Sequence, residues 1–312
     1  MTLLYFDPLC LEHDTGDHPE NATRVRRTIE RIEHSGLADR CTRRSWVSAT
    51  KEQLQRVHPE AYLKSLGDQI AAGGGRIEAD TVVSSRSLDA ASLTAGAVVD
   101  AVTQVFSGDH QNAFCLMRPP GHHALTDGPM GFCLLNHAAI AARHALEQFE
   151  LRRVMIIDWD VHHGNGTQDI FWEDESVGFF SMHRFPFYPG SGEASEVGAA
   201  KGLGTTLNLP IHYGTSRQRQ LEAFRGSVER FAERLKPELL IVSAGFDSHR
   251  LDPIGSLDLE SEDFVELTEI VLEIAKVHAG GRVVSLLEGG YNPDALSESV
   301  GLHLETLLEA DK

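Results

Sequence analysis

The sequence has few cysteines, few positive charges and no long hydrophobic run. Its 312 residues include four cysteines, which form no C-x-x-C pair and suggest no disulfide framework. Lys and Arg number 28 against 46 Asp and Glu, so the formal charge is −18, which argues against nucleic acid as the main partner. The N-terminus resembles no secretion signal, and no stretch reaches the roughly 18 apolar residues of a membrane helix. These absences predict a protein of the reducing cytoplasm that does not enter a membrane.

The composition that remains is that of a globular protein. Hydrophobic residues make up 41% and charged residues 24% of the chain, which allows a sizeable core. No repeat, low-complexity tract or long linker divides the sequence, so we expect a single domain spanning residues 1–312. The acidic balance is compatible with the attraction of a cationic substrate.

A short apolar run, then a loop rich in Gly, His and Asp, then a helical pattern recurs along the chain. Residues 215–236 and 261–279 carry apolar side chains at steps of three and four, which predicts amphipathic helices. Apolar strands that alternate with helices indicate an α/β fold with a mainly parallel sheet covered on both faces. The predicted strands are Leu3–Phe6, Ala113–Met117, Val154–Ile157, Val177–Ser181, Thr205–Leu209, Leu239–Ser243 and Val283–Leu287.

Unusual polar residues follow five of these strands. In open parallel sheets, ligands bind beyond the carboxyl ends of the strands. We therefore expect these residues to converge on one edge of the sheet and to form a single functional site. They are Arg118–His123, Asp158–His163, His183, Asp247 and Tyr291.

The segment MIIDWDVHHGNGTQ, residues 155–168, predicts half of a metal site. If the chain stays extended past the strand, Asp158, Asp160 and His162 share one face. Two carboxylates and an imidazole suit a zinc ion, which accepts oxygen and nitrogen ligands. A further ligand must come from another strand end, where Asp247 is favoured and His249 is the alternative.

Two further motifs predict catalytic chemistry. The segment RPPGHHA, residues 118–124, places two adjacent histidines in a loop whose path is fixed by two prolines and a glycine. Imidazoles titrate near neutral pH, so this pair suits proton transfer. The segment LLEGGYNPDAL places Tyr291 at a strand end, where a phenol can donate a hydrogen bond to a substrate carbonyl.

With these residues assembled, the chain resembles the zinc-dependent histone deacetylase and acetylpolyamine amidohydrolase family. The likeness runs from HDTGDHPENATR to LLEGGYNPD, and RPPGHHA, GFCLLN, DWDVHHGNGTQD, GFDSHRLDP and EGGY occur in the family's order. The resemblance implies the arginase/deacetylase fold, an eight-stranded parallel sheet flanked by helices. It also implies removal of acetyl or another short acyl group from lysine side chains or related amines.

The resemblance assigns metal ligands residue by residue. Asp160, His162 and Asp247 match the zinc ligands of the family, which favours Asp247 over His249. The family also binds a potassium ion near the zinc. The positions that match its potassium ligands are Asp158, Asp160, His162, Ser181 and Met182.

The same resemblance implies catalytic roles. His123 would act first as general base and then as general acid, while His122, paired with Asp158, would stay positively charged. Tyr291 would polarise the scissile carbonyl. Asn165, where other members carry an aspartate, resembles the class II branch, and a neutral amide would orient His123 without raising its pKa.

Substrate-binding positions can be transferred in the same way. Gly131, Phe132 and Tyr188 match the walls of the family's narrow tunnel, which would hold the methylenes of an acyl-lysine. Ile254 lies near the position where polyamine-preferring members carry an acidic residue, so it favours acyl-lysine over acetylpolyamine. Arg24 matches an arginine near the cavity behind the zinc.

Other functions remain as alternatives. A binuclear manganese hydrolase needs more bridging aspartates than DWDVHHG supplies. A catalytically silent acyl-lysine-binding scaffold should have lost a ligand, a tandem histidine or the tyrosine, all of which are present. The expected partners are acyl-lysine proteins or peptides or small acyl-amines, and a homo-oligomer is compatible with the sequence.

Overall fold

A parallel sheet lies at the centre of the molecule, which we describe from a computed structural model of residues 2–108 and 110–310. Seven strands form this sheet in the order β1-β4-β9-β8-β5-β6-β7, and β2 pairs with β3 in a separate antiparallel ribbon. In chain order the strands are β1 (Leu3–Tyr5), β2 (Gly75–Arg76), β3 (Val82–Val83), β4 (Asn112–Cys115), β5 (Val154–Asp158), β6 (Val177–Arg184), β7 (Thr206–Ile211), β8 (Leu239–Ala244) and β9 (Val283–Leu287).

Helices cover the sheet, and several begin at a side chain that caps the first turn. The Asn136 amide oxygen accepts a hydrogen bond from the Ala139 N–H, and Asn292 caps the last helix in the same way. The helices are α1 (Ala22–His34), α2 (Leu37–Arg40), α3 (Lys51–Gln55), α4 (Glu60–Ala71), α5 (Ser87–Ser107), α6 (His137–Gln148), α7 (Asn165–Ile170), α8 (Arg217–Leu235), α9 (Asp263–His278) and α10 (Pro293–Glu309).

Within the described residues the central sheet has seven strands, so the eight implied by the family resemblance are wrong. The seven strands predicted from the residues all occur, as do the two amphipathic helices, α8 and α9. At the outer edge of β1, Thr42 forms only an isolated bridge to Leu3. The bridge consists of hydrogen bonds from the Leu4 N–H to the Thr42 carbonyl and from the Thr42 N–H to the Thr2 carbonyl. This pairing is too short to continue as a strand.

Helix α5 belongs to the core. It is long and apolar enough to cross a membrane by length and composition, yet 67% of its most apolar window is buried inside the molecule. It packs against α6 and β4. We therefore treat α5 as a core helix.

The direction of the strands determines where the site lies. Because all seven strands are parallel, their carboxyl ends share one edge of the sheet. Strands β4, β9, β8 and β5 are consecutive neighbours, so the loops that follow them lie side by side. At the end of β5, Asp158 is in register with Ser243 of β8 and Ser181 of β6. The shared direction of the strands thus brings together the polar strand ends predicted from the sequence.

The imidazole of His58 links the first half of the chain to the loop before α6. Its Nδ1 donates to the Thr126 carbonyl at 3.0 Å, and its Nε2 accepts the Asn136 N–H at 2.9 Å. Protonation of Nε2 would destroy the second bond. Burial accordingly lowers the pKa of His58 from 6.5 to about 4.

We predict that His58 contributes to acid lability. A folded-state pKa below the unfolded value means that the unfolded chain binds more protons, so this stability is complete above about pH 6.5 and is lost as the pH falls towards 4. Between pH 7.5 and 5 the loss should be about 2 kcal/mol. In urea unfolding, His58→Gln should reduce the difference in stability between these pH values by that amount. His34→Gln, at an exposed position, is the control. An equal pH dependence of the unfolding free energy in the wild type, His58→Gln and His34→Gln would contradict the prediction.

Candidate active site

Two aspartates and a histidine from neighbouring strand ends form a compact group. Asp160 and His162 follow β5, and Asp247 follows β8. The His162 Nδ1 lies 3.0 Å from Asp160 Oδ1 and 3.1 Å from Asp247 Oδ2. One nitrogen or oxygen atom from each residue lies within 4.8 Å of the other two, and all three side chains are buried. The three residues predicted to bind zinc are therefore close enough to share one ion.

The chemistry of this group fits a divalent cation. The Asp247 Oδ2 atom is buried and, although the His162 Nδ1 lies 3.1 Å away, it accepts no hydrogen bond from the described residues. A side chain at Gly245 or Gly289 would overlap the Asp160 carboxylate, so both positions require glycine for the carboxylates to approach. Burial and the negative charge of Asp160 raise the pKa of Asp247 to about 7. A bound zinc ion would relieve this repulsion and supply the missing partner, and its usual ligands are of these types.

The tandem histidines lie beside this group and differ in their partners. The His122 Nδ1 donates to Asp158 Oδ2 at 3.0 Å, whereas the His123 Nδ1 donates to the Asn165 amide oxygen at 2.7 Å. The two imidazole centroids are 4.0 Å apart. One histidine is thus paired with a charged carboxylate and the other with a neutral amide.

These partners set opposite protonation states. Burial opposes the charged form of His122, but Asp158 and Asp160 outweigh it and raise the pKa of His122 to about 10. Burial, together with the positive charge of His122, lowers the pKa of His123 well below its ordinary value. The Nδ1 of His123 donates to Asn165, which leaves Nε2 as a free proton acceptor. A positively charged His122 therefore lies next to a neutral His123 that can act as a base.

Tyr291 lies in the loop after β9, at the same edge of the sheet. Its ring packs edge-on against Phe132, with centroids 5.7 Å apart, and the Arg24 guanidinium lies 4.9 Å from its centroid. The Asp252 carboxylate accepts its backbone N–H at 2.6 Å. Among the described residues the phenol oxygen makes no hydrogen bond, so its proton can be donated to a substrate.

Aromatic side chains flank the buried group as the tunnel prediction requires. The Tyr188 ring lies edge-on to His123 at 5.3 Å and is 38% exposed, so it extends from the site to the surface. Gly131 and Phe132 both have positive φ, at 56° and 72°. A Cβ at Gly131 would overlap the His123 ring, so the backbone can approach the imidazole only with glycine there.

The remaining residues of the predicted set lie in strand β6 and in the turn after Asp252. Ile254 is half-buried, and its N–H is held by Asp252, the same carboxylate that holds Tyr291. Ser181 is the strand partner of Asp158, but its hydroxyl bonds to His183 at 2.9 Å. Met182 follows in the buried part of β6.

Two of the histidines considered at strand ends do not join the group. His249 accepts the Leu251 N–H at its Nδ1, and its Nε2 faces Ser261, so it contributes to a local turn. His183 lies within β6, and its Nε2 donates to the Gly192 carbonyl at 2.9 Å. The geometry therefore favours Asp247 over His249 as the third member.

Sequence reasoning missed three residues that shape the site. The Phe187 ring stacks on His162, with centroids 5.2 Å apart and planes inclined by 18°. Its position next to Tyr188 in the sequence could have identified Phe187 as a further aromatic residue of the site. The Asp252 carboxylate accepts the backbone N–H groups of Ile254 and Tyr291 and so holds both turns. Glu288 is buried, and its Oε2 accepts the backbone N–H groups of Gly121 and His122 at 2.6 and 3.2 Å.

A buried cluster of charged side chains holds the loop that carries the tandem histidines. Glu20 accepts hydrogen bonds from Arg118 at 2.6 Å and from Arg24 at 3.0 Å. Arg24 also donates to the carbonyl oxygens of Glu288 and Gly290, each at 2.5 Å. Although burial opposes it, Arg118 and Arg24 hold the pKa of Glu20 well below its usual range. The cluster ties the loop after β4 to the loop after β9.

Comparison with known proteins gives a consistent result. The family model described as the histone deacetylase domain matches residues 18–307. A histone deacetylase-like amidohydrolase of Pseudomonas aeruginosa is 37% identical over 93% of this chain and 82% of its own length. Polyamine deacetylase HDAC10 of Homo sapiens is 38% identical over 98% of this chain, which spans 46% of that longer protein. The crystal structure of the HDA15 HD domain matches with a TM-score of 0.93 and 36% identity, covering 99% of this chain and 88% of that one.

Proposed function

Because this chain belongs to the histone deacetylase family, and is therefore a hydrolase of the deacetylase and amidohydrolase kind, we propose that it removes acetyl groups from lysine side chains of proteins or peptides. The observation that carries this proposal is the meeting of the Asp160, His162 and Asp247 group with the tandem histidines beneath aromatic walls. Other short acyl groups would fit the same chemistry.

Zinc is the metal that we assign to Asp160, His162 and Asp247. It would supply Lewis-acid activation of water and of the amide carbonyl. Backbone N–H groups orient the two carboxylates of this group. Asp160 keeps its orientation because the Gly289 N–H donates to its Oδ2 at 2.8 Å, and Asp247 because the Val161 N–H donates to its Oδ1 at 2.9 Å.

Proton transfer is assigned to His123. As a neutral imidazole with a free Nε2, it can take a proton from the attacking water and return that proton to the leaving amine. His122 holds a positive charge beside the place where the carbonyl oxygen becomes negative. The Tyr291 phenol donates a hydrogen bond to the same oxygen. Tyr188 and Phe132 exclude water along the methylene chain of the substrate.

Acetylpolyamine hydrolysis is the second candidate. It is favoured by the relative named as a polyamine deacetylase and by the charge of −18. The aliphatic side chain of Ile254, in the turn that Asp252 shares with Tyr291, favours acyl-lysine instead. An uncharged side chain at position 254 would add little to the binding of a long cationic amine.

The test is hydrolysis of an acetyl-lysine peptide and of N-acetylated spermidine by the zinc-loaded chain, with and without a chelator. We expect the peptide to be hydrolysed with the higher kcat/KM and the activity to disappear with the chelator. A higher kcat/KM for the polyamine would move the assignment to the second candidate. No hydrolysis of either substrate would favour a silent binding protein.

We predict that Ile254→Glu shifts this preference. A carboxylate in the turn that Asp252 shares with Tyr291 should attract a cationic polyamine and raise its kcat/KM relative to the peptide by about tenfold, an effect that weakens with salt. Val277→Glu adds the same charge at an exposed position in α9 and should leave the ratio unchanged. An equal shift in both variants would show that only net charge matters.

We also assign a potassium ion to Asp158, Asp160, His162, Ser181 and Met182, partly through backbone carbonyl groups. The support is the register that places Ser181 beside Asp158 in adjacent strands. A cytoplasmic location is proposed in addition, and the free thiols of all four cysteines support a reducing compartment.

A further inference from the structure

A second group of potential metal ligands lies next to the first. One nitrogen, sulfur or oxygen atom from each of His122, Cys133 and Glu288 lies within 4.8 Å of the other two. All three side chains are buried, with at most 3% of any residue exposed. Nothing in the proposed hydrolysis uses the Cys133 thiol or the Glu288 carboxylate as a reacting group. The proposed hydrolysis therefore does not explain why a thiol and a carboxylate lie next to His122.

Each member keeps an atom available for a metal. The His122 Nδ1 is occupied by Asp158, which leaves its Nε2. The Oε2 of Glu288 accepts two backbone N–H groups, which leaves its Oε1. The Cys133 thiol donates a weak bond to the Gly131 carbonyl at 3.3 Å.

The backbone that carries Cys133 is held in place. Cys133 and Met130 exchange two backbone hydrogen bonds, at 2.9 and 3.1 Å. On the opposite side, Glu288 is fixed by its bonds to the loop of the tandem histidines. Bound to tetrahedral zinc, such ligand atoms lie roughly 3.5 Å apart, so a contraction of at most about 1.3 Å from the 4.8 Å limit closes the site.

We propose that His122, Cys133 and Glu288 form a second metal site, selective for thiophilic divalent cations such as Zn²⁺, whose occupation inhibits hydrolysis. One thiolate, one imidazole and one carboxylate are a ligand set that zinc and its close analogues prefer. The charges balance because one thiolate and one carboxylate neutralise one divalent ion. The protons of the Cys133 thiol and of the His122 imidazolium are released to solvent.

Inhibition follows from the position of His122. A metal bound at Nε2 replaces the N–H there, so the imidazole can no longer donate a hydrogen bond to the substrate oxygen. Its Nε2 lies 3.8 Å from Asp160 Oδ1, so a cation bound there would also be close to the first ligand group. This inhibitory consequence rests on the proposed function, whereas the binding of the metal does not.

The test is a Co²⁺ titration of the metal-free full chain. Asp160, His162 and Asp247 contain no sulfur, so a thiolate-to-cobalt charge-transfer band reports the second site alone. We expect two equivalents of cobalt by elemental analysis, with the band developing as the second equivalent binds. Cys133→Ser should bind one equivalent without the band. Cys41→Ser, which removes a half-buried thiol elsewhere, should behave as the wild type does.

Activity gives the second readout. Excess Zn²⁺ should inhibit the wild type, and Cys133→Ser should need at least about tenfold more zinc for equal inhibition while keeping its basal rate. If Cys133→Ser does not fold, Glu288→Gln serves instead and should weaken the second cobalt affinity by about tenfold or more. A band that persists in Cys133→Ser, or a wild type that binds one equivalent without a band, overturns the inference. An inactive enzyme that still shows both equivalents and the band overturns the proposed function and leaves the metal site standing.

Discussion

Asp160→Ala and Asp247→Ala are each expected to lose zinc and hydrolysis together. Each substitution removes one of three charged or polar ligands from a buried group whose atoms lie within 4.8 Å of one another. Loss of an outer hydrogen-bond partner alone typically lowers metal affinity by roughly 10–100-fold, so loss of a ligand should lower it further. The measurements are zinc content after gel filtration and kcat/KM on an acetyl-lysine peptide.

A matched substitution separates loss of the site from loss of the fold. Asp263 is also buried, but it pairs with Arg217 through hydrogen bonds at 2.6 and 2.9 Å, away from the strand ends. Asp263→Ala should lower stability while its zinc content stays at the wild-type level. Stoichiometric zinc and ordinary turnover in Asp247→Ala would contradict the metal assignment, because the third ligand would then have to be another residue.

The sequence predicts the sheet well because strands that are buried on both faces consist of short runs of apolar residues. All seven runs became strands, and the alternation of side chains in an extended segment placed Asp160 and His162 together. The strand count implied by the family resemblance was wrong by one. Whether a segment such as the one around Thr42 pairs over several residues or only one depends on local backbone geometry, which the residue types do not encode.

The supporting contacts of the site could not be predicted because they join distant segments. Glu288 contributes through backbone N–H groups of Gly121 and His122, and no side-chain pattern signals an acceptor for main-chain groups. Arg24 bonds to the Glu288 carbonyl, 264 residues away in sequence. The residues and the family resemblance both favoured Asp247 over His249, and the turn that directs His249 towards Ser261 supports that choice. Side-chain chemistry is thus readable from the sequence, whereas its orientation depends on the tertiary structure.

Tyr291→Phe is expected to slow hydrolysis without releasing zinc. The substitution keeps the ring that packs against Phe132 and under Arg24, and it keeps the backbone N–H that Asp252 holds. Only the phenol proton is lost. Loss of one donor to a developing oxyanion lowers kcat by roughly 10²–10³-fold. KM should change little, because the bond strengthens mainly as negative charge develops on the carbonyl oxygen.

Tyr62→Phe provides the contrast for this prediction. The Tyr62 phenol is buried and donates to the Leu134 carbonyl at 2.7 Å, so its loss should cost about 1 kcal/mol of stability without changing kcat. Steady-state kinetics, zinc content and urea unfolding of both variants distinguish the two roles. If Tyr291→Phe turned over normally, the oxyanion would be stabilised by His122 and the metal alone. A fall in zinc content would instead mean that the phenol supports the ligands rather than the substrate.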